Sequence, residues 1–342
     1  MKDILLALSR GENLSEPAAQ DAMHQMMSGS ASPAQIAAYL TLLQVKGETI
    51  EELTGSVRAM RDHAIQLALP YDNVIDTCGT GGDHAGTFNI STAASFVLAA
   101  GSVRVAKHGN RAASSLTGSA DVLAELGVAI DLTPLQAKRC LDETGFCFLF
   151  AQSYHPAMRY VAPIRKELGF RTMFNFLGPL TNPASPKFQV LGTPSIEVAE
   201  KMASVLAALG CQRALVVHAQ DGLDELSIAG MSYVYEVNQG TVQSYNVTPA
   251  DFGLQSHPLQ AIAGGDSAEN ADIIRQIFQG EKGARRNVVV MNAAAGFYAA
   301  KQVTSYLEGA RLAERLIDEG KAAQKLHEVC AFSQSVTEGL LA

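Results

Sequence analysis

From Val74 onward the chain alternates short runs of strand formers with helical runs, and this alternation limits the fold more than any other feature. VIDTC (74–78), VRVAK (103–107), CFLFA (147–151), FQVLGT (188–193) and ALVVHA (214–219) are separated by runs such as ISTAASFVLAAG, SADVLAELG and SIEVAEKMASVLAALG. Strands that alternate with helices predict a mostly parallel sheet covered by helices on both faces. YVYEVN and TVQSYNV, joined by Gln239-Gly240, predict a hairpin at the sheet edge, and the tail from about residue 266 is helical again. Residues 1–68 carry no strand pattern. Ile50, Leu53, Val57, Met60 and Ala64 step by three and four along one helix face, Thr49 and Glu52 fit a capping box, and Ser32-Pro33 starts another helix. The expected architecture is α/β, with a small all-helical domain (1–68), a hinge near 69–73 and a larger α/β domain (74–342). The proline-rich stretch 155–182 is expected to return in part to the helical domain.

Bulk properties exclude several function classes. A net charge of −8 argues against broad nucleic-acid or membrane-surface binding. No apolar run approaches the ~18 residues of a membrane span, and the N-terminus lacks the basic-then-apolar layout of a signal peptide. Five scattered cysteines form no CxxC pair, so neither a disulfide framework nor a zinc site is expected. A cytoplasmic location follows as the expectation.

Four stretches carry chemistry. GTGGDHAGTFNIST (79–92) joins a strand to a helix, where glycines let backbone N–H groups approach an anion at a helix N-terminus. It matches neither the dinucleotide nor the Walker fingerprint, and alone it fits a plain capping turn as well. KHGNRAASSLTGSAD (107–121) sets Lys107 and Arg111 among small hydrogen-bonding residues beyond a strand end, which suits a phosphosugar; a solvated loop would explain the serines but not the clustered cations. Asp224 and Glu225 in DGLDE are adjacent hard oxygen donors of the kind that share Mg²⁺ with substrate phosphates, although most acidic pairs are simply solvated. In HPAMRYVAPIRKELGFRTMFNFLGPLTNP (155–183), Arg159, Arg165 and Arg171 recur at a spacing of six, and one can receive a carboxylate in a bidentate fork. Asn175 to Leu180 form an apolar turn able to close over an aromatic ring.

Taken jointly, DTCGTGGD, NIST, KHGNRAASS, GSADVLAELG, RTMFNFLGPLTNP and DGLDE resemble the anthranilate phosphoribosyltransferase family in order and spacing, over essentially the whole chain. The resemblance implies a pentosyltransferase of tryptophan biosynthesis, typically homodimeric, whose partners are the small molecules 5-phosphoribosyl 1-diphosphate (PRPP) and anthranilate. It implies PRPP binding by Gly79, Gly82, Asp83, Thr87, Asn89, Ile90, Ser91, Thr92, Lys107, His108, Gly109, Asn110, Arg111, Ala112, Ala113, Ser114, Ser115 and Ser119. Ser91 and Glu225 would hold one Mg²⁺, and Asp224 with Glu225 a second. Gly79, Asn110 and Arg165 would contact anthranilate, with Arg165 on its carboxylate. An aromatic amine is already neutral at pH 7, so the reaction needs no strong base. His108 is the one side chain in the right loop that can take the proton afterwards, and it equally suits a role in shaping the pocket.

A pyrimidine nucleoside phosphorylase shares the fold and the KHG loop, but it uses no metal, and DGLDE and Arg165 speak against it. A non-enzymatic relative that binds nucleic acid would show lost metal carboxylates and a basic face; Asp224, Glu225 and the net charge oppose that reading.

Overall fold

The structure is a computed structural model and describes residues 1–83, 85–112 and 116–338. Four helices open the chain: α1 (Lys2–Ser9), α2 (Glu16–Met27), α3 (Pro33–Lys46) and α4 (Ile50–Asp62). Their starts follow local chemistry. Ser32 and Thr49 each close a reciprocal capping box with Gln35 and Glu52, and Pro33 takes the first helical position, where its missing N–H costs nothing. Glu52 is wholly buried, yet its carboxylate accepts from the Leu14 and Thr49 backbone N–H groups and from Lys46 Nζ, so burial leaves it paired. Along α4 the residues Leu53, Val57 and Met60 are buried as the periodicity predicts. Ile50, in the first turn, stays 37% exposed, and Ala64 falls beyond the helix end. A Cβ at Gly55 would collide with the Glu16 carbonyl, so α4 can lie on α2 only with glycine there.

The second half is a seven-stranded sheet. In chain order the elements are β1 (Val74–Gly79), α5 (Ile90–Ala100), β2 (Arg104–Gly109), α6 (Ser119–Leu126), α7 (Pro134–Thr144), β3 (Phe146–Phe150), α8 (Ala151–Tyr154), α9 (Ala162–Leu168), α10 (Phe174–Leu177), β4 (Phe188–Gly192), α11 (Ile196–Ala208), β5 (Arg213–Ala219), β6 (Ser232–Asn238) and β7 (Thr241–Val247). Helices α12 (Ser267–Phe278), α13 (Ala284–Ala299), α14 (Tyr306–Asp318) and α15 (Lys321–Thr337) follow. The strand order is β3-β2-β1-β4-β5-β6-β7, parallel from β3 to β5 and antiparallel at the β6–β7 edge. Gln239 (φ 48°) and Gly240 (φ 85°) make the left-handed two-residue turn that suits the twist of a hairpin.

The chain runs β1, β2, β3 in one direction and then returns to place β4 on the other side of β1. This reversal opens a crevice beyond the carboxyl ends of β1 and β4, where ligands sit in open parallel sheets. One sheet face is covered by α5 and the C-terminal helices around Phe96, which stacks on Phe146 and meets Phe278 edge-on. The opposite face shares a single apolar cluster with the helical bundle: Leu40, Leu43, Leu53 and Val57 join Leu191, Val216 and Met202. Val161, Ile164, Met173, Phe174, Leu177 and Leu180 belong to the same cluster, so the 156–180 stretch packs with the bundle. The two crossings between bundle and sheet lie side by side, tied by Leu67 N–H donating to Pro183 O (3.1 Å). Among the described residues no helix is long and apolar enough to cross a membrane.

Candidate active site

Three segments converge beyond the strand ends. The first leaves β1 at Gly79, which pairs with Gly192 at the end of β4. A Cβ on Gly79 would strike the Asp224 carboxylate, and one on Gly192 the Asp224 carbonyl. Two bare strand ends therefore make room for the DGLDE turn. Gly81 and Gly82 are left-handed (φ 71° and 82°), a conformation glycine adopts without strain. Gly81 N–H donates to Asp224 Oδ2 (2.7 Å), and Asp83 Oδ2 accepts from Asp224 N–H (3.4 Å). Thr87 bridges to Ala263. Asn89 precedes α5 but does not cap it; its side chain joins Thr117 O and Asn270 Nδ2 instead. The free N–H at the helix start is met by Glu225, whose Oε1 accepts from Ser91 N–H (3.1 Å). Ile90 and Thr92 are each 1% exposed, backbone included, so neither presents an open surface to a ligand.

The second segment differs from the sequence expectation. β2 runs through Gly109, past the expected strand end at Lys107, so His108 and Gly109 are strand residues rather than loop residues. In a parallel sheet both faces are covered, and the Lys107 and His108 side chains are buried. Lys107 Nζ donates to Thr77 O (2.5 Å) and approaches Ser91 Oγ (3.4 Å), which puts its charge beneath the first loop. Burial lowers its pKa, opposed by the nearby Asp76. Beyond Gly109, Asp121 organises the loop: it accepts from Arg111 Nη1 (2.7 Å), Ala112 N–H and Gly118 N–H (3.0 Å each). Ser119 Oγ lies 3.5 Å from Asn110 O. Ala113, Ser114 and Ser115 lie outside the described residues.

The third segment supplies Asp224 and Glu225. Burial raises both carboxyls, Asp224 well above its ordinary range with Asp83 and Glu225 adding repulsion, and Glu225 to about 7 against the pull of Lys107. Three carboxylates around one opening, with one buried ammonium, form an electrostatically underfilled site. Among the described residues no three acidic, histidine or cysteine side chains enclose a metal ion by themselves.

Sequence reading missed the groups behind these loops. Asp76, fully buried in β1 and raised to about 6 by desolvation, accepts from His108 N–H and Asn182 Nδ2. Asn182 also donates to Ala106 O, tying the second crossing to the floor of the site. The one sequence signal was a lone carboxylate inside the apolar strand VIDTC. His108 and His155 face each other, centroids 5.1 Å apart, with both Nε2 atoms buried and unpartnered. The two rings are held by hydrogen bonds to the Gly178 and Thr181 backbone carbonyls, which accept, and this brings the apolar turn against His108. Burial pushes His108 down to about 3 and His155 to about 4. Unfolded histidines titrate near 6.5, so below that pH the unfolded chain binds two protons that the folded chain refuses. Stability is therefore full above about 6.5 and is lost as the pH falls toward 4, each histidine contributing up to about 1.4 kcal/mol per pH unit. Urea unfolding of His108→Asn/His155→Asn is expected to show a shallower acid limb than the parent; an unchanged slope would assign acid loss to other groups.

Of the three recurring arginines, Arg159 rests on the Tyr160 ring and donates to its hydroxyl. Arg165, half-buried on α9 with its guanidinium 5.2 Å from the Phe174 ring centroid, has no acidic partner among the described residues. No described hydrogen bond links it to Gly79 or Asn110. Asn110 Oδ1 accepts from Arg111 N–H and Gln152 Nε2.

A helical bundle, a sheet that reverses at β1 and β4, and an anion-suited crevice between them define a two-domain glycosyl transferase. The glycosyl transferase family α/β domain matches residues 71–323, and the helical bundle domain of the same family matches residues 2–64. The chain is 50% identical over 335 residues to the anthranilate phosphoribosyltransferase of Acetivibrio thermocellus, covering 98% of this chain and 97% of that one. The crystal structure of the Thermus thermophilus enzyme of that name superposes with a TM-score of 0.92 at 45% identity, covering 97% and 99% of the two chains. The Saccharomyces cerevisiae enzyme in complex with PRPP and Mg gives 0.89 at 27%, covering 98% and 99%. This chain belongs to the anthranilate phosphoribosyltransferase family.

Proposed function

We propose that the protein transfers the phosphoribosyl group of PRPP to the amine of anthranilate, giving N-(5-phosphoribosyl)anthranilate and pyrophosphate, with Mg²⁺ as cofactor. The observation that carries this reading is the meeting of Asp224 and Glu225 with the start of α5 and the Gly79–Asp83 loop. The relatives agree with it: the yeast enzyme has been crystallised with PRPP and Mg, and with 4-fluoroanthranilate.

The donor set fits Mg²⁺. It is all oxygen (Ser91 Oγ, Asp224, Glu225), and its unrelieved negative charge suits a cation that completes its shell with substrate and water oxygens. We assign Ser91 with Glu225 to one ion and Asp224 with Glu225 to a second. When bound, such ions neutralise charge growing on the departing pyrophosphate. The protein's own groups do the remainder. The loop amides near Gly79–Asp83, together with Asn110 and Ser119, hold the phosphosugar, and Lys107 adds positive potential from below. Arg165 receives the acceptor's carboxylate and fixes the amine toward the ribose carbon; such orientation is worth up to ~7–11 kcal/mol. His108 is buried with its Nε2 enclosed and its ring facing His155, and burial pushes its pKa down to about 3, which supports a pocket-shaping role over that of proton acceptor.

Anthranilate fluorescence followed with PRPP, with and without Mg²⁺, tests the reading. A Mg²⁺-dependent loss of signal matched by pyrophosphate release is expected. No loss with any acceptor concentration would overturn the assigned acceptor.

A further inference from the structure

We propose that Arg171 is the bundle-side contact to the phosphate oxygens of the donor, so that the bundle and its returning stretch grip PRPP from across the cleft. The inference rests on the PRPP reading above and adds a residue to it.

The geometry comes from how α9 ends. Gly169 closes it in a left-handed cap (φ 67°), which turns the chain toward the sheet. Thr172, next in line after Arg171, is fully buried, and its N–H donates to Asn175 Oδ1 (2.9 Å). The base of Arg171 is thus anchored while its head is exposed. That head lies on the first glycine loop: Nη2 donates to Gly81 O at 3.3 Å, and a Cβ on Gly82 would collide with the guanidinium. Gly81 is therefore held from both sides, its N–H by Asp224 and its carbonyl by Arg171.

One long hydrogen bond to a neutral carbonyl uses little of a guanidinium. No carboxylate among the described residues pairs with Arg171, and its other donors have no described partner. A forked cation kept unpaired above a loop suited to phosphate matches phosphate oxygens in charge and in shape. It stands on the stretch that packs with the bundle, whereas the loop belongs to the sheet. A phosphate between them would join both sides through Arg171.

The test compares R171Q and R171K with the parent, using PRPP titration by calorimetry in Mg²⁺ and steady-state kinetics. We expect R171Q to raise the PRPP Kd and KM by about 10-fold or more, the scale of a charged hydrogen bond, and to leave the anthranilate KM at saturating PRPP within about twofold. R171K should recover part of the loss, since it restores the charge without the fork. Equal PRPP affinity in R171Q and the parent would overturn the proposal alone. So would a loss in R171Q that strikes both substrates and kcat together with a lowered melting temperature, which marks a merely structural role. A parent protein that binds no PRPP would overturn the functional reading, and this proposal with it.

Discussion

Asp224→Asn combined with Glu225→Gln is expected to lower kcat/KM by about 10³-fold or more and, at the same time, to raise the melting temperature of the substrate-free protein at pH 8. The first effect follows from the chemistry: removing one preorganised stabiliser of transition-state charge typically costs 10²–10³ in rate, and under the proposed assignment these carboxylates would hold the Mg²⁺ that supplies it. The second follows from burial. Both carboxyls are pushed up by desolvation, with Asp83 adding repulsion at each, so ionising them costs folding free energy that the neutral amides do not. The amide oxygens can still accept from Gly81 and Ser91 N–H, so the loops need not collapse. Fluorescence assays across a Mg²⁺ series and thermal melts in chelator measure the two effects. Residual activity that still responds to Mg²⁺ as the parent does would remove these residues from the metal site.

Arg165→Gln is the second large effect. Arg165 is partly desolvated without an acidic partner, which lowers its pKa and leaves a cation whose charge a ligand carboxylate would satisfy. Losing a charge-assisted pair of this kind costs roughly 1.5–3 kcal/mol, or about 10- to 150-fold. The loss is expected in the anthranilate KM, with the PRPP KM little changed. Aniline, which lacks the carboxylate, should be used about as poorly by the parent as by the variant. A parallel rise in both KM values would refute the assigned role.

The strand runs, the edge hairpin and the capped bundle helices were legible because each rests on a local signal: β-branched runs, a Gln-Gly turn, a Ser or Thr three residues before Gln or Glu. The candidate ligand loops were legible for a related reason, since glycines and small polar residues cluster where backbone must be bare. What sequence concealed was direction. Lys107 read as a cation at a strand end and His108 as a loop residue, yet the strand continues through them and their side chains go inward. Asp76 pairs with Asn182 across 106 residues and Asp121 reaches back 9 residues to Ala112, and no local pattern announces these pairings. Ile50 and Ala64 carried the right helical phase, but phase says nothing of where a bundle stops covering a helix.

The glycine pair at the ends of β1 and β4 has a further consequence. The acidic turn is set into a notch made by two absent methyl groups, so the site can be erased without altering any group that performs chemistry. Gly192→Ala is expected to displace the Asp224 backbone and silence Mg²⁺-dependent transfer with every carboxylate still present; full activity in that variant would show that the turn can ride over the added carbon. A homologue that kept Asp-Glu but gained an alanine at either strand end would look competent by its reactive residues and be inert.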